Sequence, residues 1–252
     1  MREFTVDALT VKVSDSRAEM GALAAAEIRE TILALLADRA EINMIFAAAP
    51  SQNEVLASLL TYKDIPWERI NAFHMDEYIG LPAVDPRRFG NFLAEHIFNH
   101  APFKSVNYID SSATADDECA RYTALLEKYP TDIVVMGIGE NGHIAFNDPG
   151  VADFNDPKTI KLAKLDEVCR MQQVHDGCFA TIDEVPTHAF TLTCPTLVRA
   201  TYKFCIVPAA TKANAARRML SGKVSDDCPA TLLRNTQNAT LYLDPDSASL
   251  IG

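Results

Sequence analysis

Two stretches of this chain carry almost no polar side chain: INMIFAAA at 42–49 and, after its first residue, DIVVMGIG at 132–139. A strand with one face in water alternates apolar and polar residues. Runs without that alternation fit strands covered on both faces, which is the rule in parallel sheets. Parallel neighbours require long crossover connections, usually helices. The sequence supplies them: AEMGALAAAEIRETILALLADRA at 18–40 has Ala, Leu and Ile at helical spacing. Ser16, with Glu19 three residues on, marks its start as a capping box.

The same alternation continues along the chain. FTVDALTVKV (4–13) reads as a first strand or hairpin. Ser51 and Glu54 repeat the Ser-x-x-Glu start signal and open a helix through Leu60. INAFHM (70–75) is a strand; Asp85-Pro86 precedes a helix to about His100; VNYI (106–109) is a strand and 115–129 a helix. HAFTLT (188–193), YKFCIVP (202–208) and ATLYLD (239–244) are strands, with a helix over 211–220. Strand–helix alternation around buried strands predicts an open, mostly parallel α/β sheet. The 252 residues suffice for one large domain or two small ones, and no linker or repeat divides them.

In such sheets ligands bind beyond the C-terminal strand ends. Chemistry is therefore expected at 47–52, 75–80, 137–148 and 208–212. The net charge of −11 argues against a nucleic-acid or anionic-membrane surface, and no apolar run approaches the ~20 residues of a membrane helix. A local pocket can still bind a small anion. The six cysteines form no CxxC pair, so neither a zinc ribbon nor a redox dithiol is expected. With no secretory leader pattern at the start, they read as free thiols in a reducing cytoplasm.

The four predicted loops hold what is unusual. In FHMDEYIGLP (73–82), Asp76 and Glu77 follow an apolar strand; a carboxylate desolvated at a strand end becomes a better base near neutral pH. The alternative is a pair of solvated acids or a helix cap. In GIGENGHIAFNDPG (137–150), His143 stands among four glycines, with Asn141 and Asp148 nearby. A histidine held by polar neighbours has a fixed tautomer and a tuned pKa, as acid–base catalysis requires. Gly137, Gly139 and Gly142 match a GxGxxG pattern, but no helical run follows, so nucleotide binding is rejected. In AAAPSQNE (47–54) a strand ends at a capped helix start, whose free N–H groups and the Ser51 hydroxyl could seat a phosphate. In VPAATKANAA (207–216), Lys212 falls in the first turn of a helix, unfavourable to the dipole unless an anion binds there. His96 and His100 are four apart but lack the residues that complete a zinc motif. Arg87-Arg88 and Arg217-Arg218 read as solvated basic pairs.

FHMDEYIGLP and MGIGENGHIAFNDPG resemble the two signature segments of the glucosamine-6-phosphate deaminase (isomerase) family, related to galactosamine-6-phosphate isomerases and 6-phosphogluconolactonases. VPTHAFTLT (185–193) and VSDDCPATLL (224–233) extend the resemblance over nearly the whole chain. Lactonases usually carry Gly-Ala-Asp-Gly-His-Thr-Ala-Ser; GHIAFN followed by Asp-Pro is closer to the deaminase branch. The resemblance implies a Rossmann-like three-layer α/β/α sandwich in one domain over 1–252, with a lid segment around 150–187. It implies conversion of an amino-sugar phosphate and water to a ketose phosphate and ammonia, with no cofactor or metal. His143 would act on the ring oxygen, Asp76 would move a proton from C2 to C1, and Asp148 would orient His143. Lys212 would bind phosphate, with the turn containing Ala48, Ala49, Ser51 and Gln52. Glu77 and Arg170 complete the expected substrate contacts.

Several departures from the family pattern bear on this. Asn141 stands where the deaminases usually have Asp, and can hydrogen-bond but not hold an imidazolium by charge. Asp148 is one methylene shorter than the usual Glu, so a water is expected to bridge it to His143. Ala48-Ala49-Pro50-Ser51-Gln52 replaces Thr-Gly-Gly-Thr-Pro, and alanine resists positive φ. An apparent insertion puts Gln172 or Gln173 near the position of the lid arginine. Val151 and Ala152 stand where activator-site serines are common, so activation by an acetylated sugar phosphate is not expected. The competing readings are a galactosamine-6-phosphate isomerase, a 6-phosphogluconolactonase-like hydrolase and a non-catalytic sugar-phosphate sensor. A sensor usually carries a DNA-binding segment, whereas this sequence shows no basic helix-turn-helix, and a binding module has no need for Asp76 and His143 together. A homo-oligomer is compatible with all of them.

Overall fold

The computed structural model describes residues 1–252. The chain opens with a hairpin of β1 (Arg2–Val6) and β2 (Leu9–Val13), turning through Asp7 at a φ of 53°. It continues as α1 (Arg17–Asp38), β3 (Ile42–Phe46), α2 (Asn53–Thr61), β4 (Ile70–His74), β5 (Asp76–Tyr78), α3 (Phe89–Leu93), β6 (Ser105–Asn107) and α4 (Ala115–Lys128). Then come β7 (Ile133–Met136), β8 (Ile160–Lys164), α5 (Glu167–His175), β9 (His188–Leu192), α6 (Cys194–Val198), β10 (Tyr202–Val207), α7 (Ala213–Ser221) and β11 (Ala239–Leu243).

Eight strands form one sheet in the order β1-β2-β11-β10-β7-β3-β4-β6, parallel throughout except for the β1–β2 edge hairpin. The two runs that defined the sequence expectation, β3 and β7, are adjacent at its centre, and every residue in both is buried. Alternate β3 side chains enter opposite cores. Met44 and Phe46 pack with Ile28 and Ile32 of α1 and Val55 of α2. Ile45 packs on the other face with Tyr122 of α4, Leu197 of α6 and Met219 of α7. Helices thus cover both faces, giving the expected three layers. Burying an Ile or Phe of this kind is worth roughly 1.5–3 kcal/mol. No helix is long and apolar enough to cross a membrane.

Local structure departs from expectation at four places. First, Ser16 caps α1 through the N–H of Glu19 at 3.2 Å, but Ser51 caps nothing. A 3₁₀ turn, Pro50–Gln52, precedes α2; the Ser51 hydroxyl accepts from the Gln52 amide at 3.0 Å, and Glu54 turns to Arg17. Second, Asp76-Glu77-Tyr78 is not loop but β5, the edge of a second, antiparallel sheet in the order β5-β9-β8. Third, the helix expected after Pro86 starts at Phe89 and passes into a π-helical turn at Ala94–Phe98. Asp85 there binds the backbone and side chain of Arg87 at 2.9 Å, holding a turn ahead of the helix. Fourth, 150–187 contains an unforeseen strand, β8, as well as α5.

Candidate active site

The loops after β3, β4, β7 and β10 converge on one cavity. Its walls include Ala47 to Gln52, Met75 and Asp76, Gly137 to Gly139 with His143, and Pro208, Ala209, Thr211 and Lys212. These are the four segments that the strand-end rule marked. Two cavity residues, Ala145 at φ 48° and Ala209 at φ 81°, hold left-handed backbone without being glycine. Such conformations cost about 1–3 kcal/mol and concentrate at functional sites.

At one end stands His143. Its ring lies on Gly139, where any Cβ would meet the imidazole at 2.1–2.3 Å. Gly142 has a φ of +89°, and a Cβ there would strike the Cys228 sulfur at 2.5 Å. Both glycines are thus required by close approach. The loop is pinned from several sides. Gly139 N–H donates to the His143 carbonyl at 2.9 Å, Ala230 N–H to the Gly142 carbonyl at 2.8 Å, and Asn147 to the Leu192 carbonyl at 2.8 Å. The late 224–233 segment therefore acts as a brace for the histidine loop.

His143 Nδ1 lies 2.9 Å from Asp148 Oδ1. The contact is direct, which corrects the expected water bridge: Asp148 is wholly buried at the base of the loop and reaches the ring unaided. The ring N–H is not squarely aligned with the carboxylate, and neither Nδ1 nor Asp148 Oδ2 has a well-formed hydrogen bond. Such contacts often tighten only with substrate bound. Asn141 sits behind the pair. Its side-chain oxygen accepts from His143 N–H at 2.9 Å, and its amide donates to Asp148 Oδ1 at 3.0 Å. It thus serves Asp148 and the loop backbone, and an Asp at 141 would set a second carboxylate against Asp148. Burial pushes the Asp148 carboxyl up, but His143, Asn141 and the neighbouring Cys169 thiol outweigh that and hold it below the usual carboxylate range. His143, Asp148 and Cys169 offer ligand atoms within 4.8 Å of one another. The 2.9 Å separation of the ring nitrogen and the carboxylate oxygen is that of a hydrogen-bonding pair.

Asp76 faces the same cavity from β5. No donor pairs with its carboxylate, and burial, with a smaller contribution from Glu77, pushes its pKa well above the usual range. Its backbone is fixed by His74, which sequence reasoning passed over. Ile109 N–H donates to His74 Nε2 at 2.9 Å, so Nδ1 must carry the hydrogen, and it donates to the Asp76 carbonyl at 2.8 Å. Burial lowers the His74 pKa to about 4, keeping the ring neutral in that tautomer.

Lys212 lines the same cavity from the start of α7. It is buried, and its ammonium makes no ion pair or hydrogen bond. Burial lowers its pKa, partly offset by Asp176 and Glu140. A buried cation without a partner is a seat for an anion. Ser51 and Gln52 line the wall beside it, and Gln52 Oε1 is buried without a partner. Ala49 is extended at φ −160°, so the turn avoids the positive φ that alanine resists.

Two expected contacts are not brought to the cavity. Glu77, the next residue along β5, points the other way, as strand alternation dictates. Its carboxylate accepts from the N–H groups of Phe89 and Gly90 at 3.1 and 3.0 Å, capping α3. Arg170 turns away and donates to the carbonyls of Ile182 and Val185 at 2.6 and 2.9 Å. Neighbours on α5 take its place: Gln172, Gln173 and Asp176 reach the cavity, and Gln172 also accepts from Glu140 N–H at 2.7 Å. Asp176, Cys169 and Arg17 carried no sequence signal beyond helical position. Among the residues set aside earlier, His96 and His100 bond to separate backbone carbonyls. Arg88, expected in solvent, lies beside Glu77 with 14% of its side chain exposed.

A doubly covered parallel sheet with a cavity at its strand ends is a Rossmann-like α/β/α architecture. The chain belongs to the family described as glucosamine-6-phosphate isomerases/6-phosphogluconolactonase, whose model matches residues 15–242. A glucosamine-6-phosphate deaminase of Bacillus cereus (strain G9842) is 37% identical over 184 residues, 72% of this chain and 68% of the relative. One from Listeria monocytogenes serotype 4a (strain HCC23) is 34% identical over 84% of this chain and 88% of its own. Among solved structures, a monomeric glucosamine-6-phosphate deaminase of the NagB superfamily superposes with a TM-score of 0.85 at 27% identity, over 95% of this chain and 99% of the other. The 6-phosphogluconolactonase of Trypanosoma brucei, at a TM-score of 0.81 and 18% identity over 100% of both chains, shares the fold.

Proposed function

We propose that the chain deaminates and isomerises a hexosamine 6-phosphate, with glucosamine 6-phosphate as the leading substrate. One observation carries the reading: a single cavity is lined by an unpartnered, proton-avid Asp76, by His143 with the buried Asp148 against its ring, and by Lys212 with its unpaired ammonium. The Bacillus cereus and Listeria monocytogenes relatives and the monomeric solved structure are each named as glucosamine-6-phosphate deaminases. His143, held by Asp148, transfers the proton that opens the pyranose at its ring oxygen. Asp76 removes the proton from C2 of the open chain, giving an enolamine, and returns a proton to C1. The resulting C2 imine adds water and releases ammonia, leaving the ketose phosphate. Each step moves protons between positioned acids and bases, work typically worth 10²–10⁴-fold per group.

Lys212 and the 47–52 turn hold the phosphate, and the 150–187 segment covers the cavity through α5. The chain works as one domain, and a homo-oligomer is compatible with this reading. The six free thiols support a cytoplasmic location.

The test is ammonia release from glucosamine 6-phosphate and galactosamine 6-phosphate, run beside hydrolysis of 6-phosphogluconolactone. Ammonia from the gluco epimer supports the reading, and ammonia only from the galacto epimer moves it to the isomerase alternative. Lactone hydrolysis without ammonia replaces it with a hydrolase.

A further inference from the structure

A phosphate monoester brings close to two negative charges, and Lys212 answers one of them. The acidic side chains that share the cavity, Asp76 and Asp176, offer an anion no cation. Arg170, the cation expected from the lid, is spent on backbone carbonyls. The turn itself brings only neutral donors, and not all of its own: Pro50 has no N–H, and that of Gln52 is taken by the Ala49 carbonyl at 2.9 Å. Across the strand ends, Ala209 N–H is held by both oxygens of Asp244 at 3.1 and 3.0 Å. An anion seat built this way lacks a second cation.

Arg17 supplies it. From the first turn of α1 it lines the cavity with Ser51, Thr211 and Lys212. Two bonds orient its guanidinium: Nε to Glu54 Oε1 at 2.7 Å and Nη2 to the Pro50 carbonyl at 2.8 Å. Nη1 makes no hydrogen bond. The reach depends on unusually close helix packing. Gly21, one turn further along α1, lies so near α2 that a Cβ would meet Glu54 Cβ at 2.4 Å and the Glu54 backbone at 2.9 Å. That approach lays Arg17 across the Pro50 turn. We infer that Arg17 is the second phosphate-binding cation of this site, acting with Lys212 in place of an arginine from the lid. The inference rests on the sugar-phosphate reading above and specifies which charges hold the phosphate.

The guanidinium also ties α1 to α2, so the test must separate gripping from stapling. Arg17→Gln and Glu54→Gln both break the ion pair, but only the first removes the cation. Binding of inorganic phosphate is measured by calorimetry on the full chain, independently of turnover. Arg17→Gln is expected to weaken it about 10- to 100-fold, the scale of a lost charge-assisted hydrogen bond. Glu54→Gln, which frees the guanidinium from a competing carboxylate, is expected to leave binding equal or tighter. In steady-state assays with the phosphorylated sugar, Arg17→Gln raises KM by a similar factor with kcat little changed. Unchanged phosphate binding in Arg17→Gln, or equal weakening in both variants, overturns the inference. If the wild type binds phosphate yet releases ammonia from neither hexosamine phosphate, the deaminase reading fails while the Arg17 result still decides its own question.

Discussion

Asp76 lines the cavity and Asp148 lies buried behind its His143 wall, and the two carboxyl groups differ in their surroundings. Asp148 is the more deeply buried, yet its pKa is lowered, because His143, Asn141 and Cys169 surround the carboxylate. Asp76 retains slight exposure to the cavity, yet its pKa is raised, because no donor meets it and Glu77 lies beside it. Burial disfavours charge at both; partners decide the sign. On the proposed reading, the one without partners is the base that takes a proton from substrate. The one with partners stays charged and holds an imidazole.

That contrast can be broken by substitution, beginning with the largest expected effect. Asp76→Asn keeps the shape and removes the base. We expect kcat to fall about 10³-fold with KM little changed, within the range for a lost acid–base group; retention of full activity would take Asp76 out of the reaction. Gly139→Ala pushes a methyl into the space of the His143 ring, and should cost about 10²-fold in kcat/KM while leaving inorganic phosphate binding intact. Asp148→Asn keeps the hydrogen-bonding outline but loses the charge beneath the ring. A drop of about 10- to 100-fold in kcat is expected, since His143 remains in place but unheld. Asn141→Asp is the mildest: less than about tenfold at pH 8, but with the acid limb of the kcat profile moved to higher pH. The added carboxylate would raise Asp148, and an unmoved limb would show that the two groups do not interact.

The same two carboxylates should also separate in stability. Asp76 has a folded pKa above its unfolded value, so its contribution is present below the unfolded pKa and lost as pH rises through the folded one. Asp76→Asn avoids that loss, and its Tm should exceed the wild type's at pH 7 and converge with it below about pH 4. Asp148 has the opposite sign: its contribution is present above the unfolded pKa and lost as pH falls through the folded one. Asp148→Asn should therefore lower stability at pH 7, by about 1–3 kcal/mol for a broken buried network. Melting curves of both variants across pH 4–8 check this, and a shared sign would mean that burial, not partnership, governs them.

Much of this site could be read from the sequence because its parts are local. The uncharged runs at 42–49 and 132–139 fixed two central strands, and strand ends then marked 47–52, 75–80, 137–148 and 208–212. The glycines at 139 and 142 announced a close approach without saying to what; the answers are the His143 ring, a local partner in the same loop, and the Cys228 sulfur, a distant one from the late 224–233 segment. Ser51 had the spacing of a helix cap and became a cavity hydroxyl, since the 3₁₀ turn at Pro50 displaced the helix start. Asp76-Glu77, read as one acidic pair, divides because β5 points neighbours to opposite faces, one to the cavity and one to α3.

The sequence alone therefore determined the layered parallel sheet, the ends of it that carry chemistry, and the acid and imidazole placed there, because periodicity and strand-end position are written in adjacent residues. Only the tertiary structure decided which groups meet: Arg17 over the Pro50 turn, Cys169 and Gln172 against the histidine loop, Arg170 turned outward. Those pairings follow from how helices pack on the sheet, down to the absence of a single Cβ at Gly21. A contact set by packing distance between remote elements leaves no spacing pattern along the chain from which to read it.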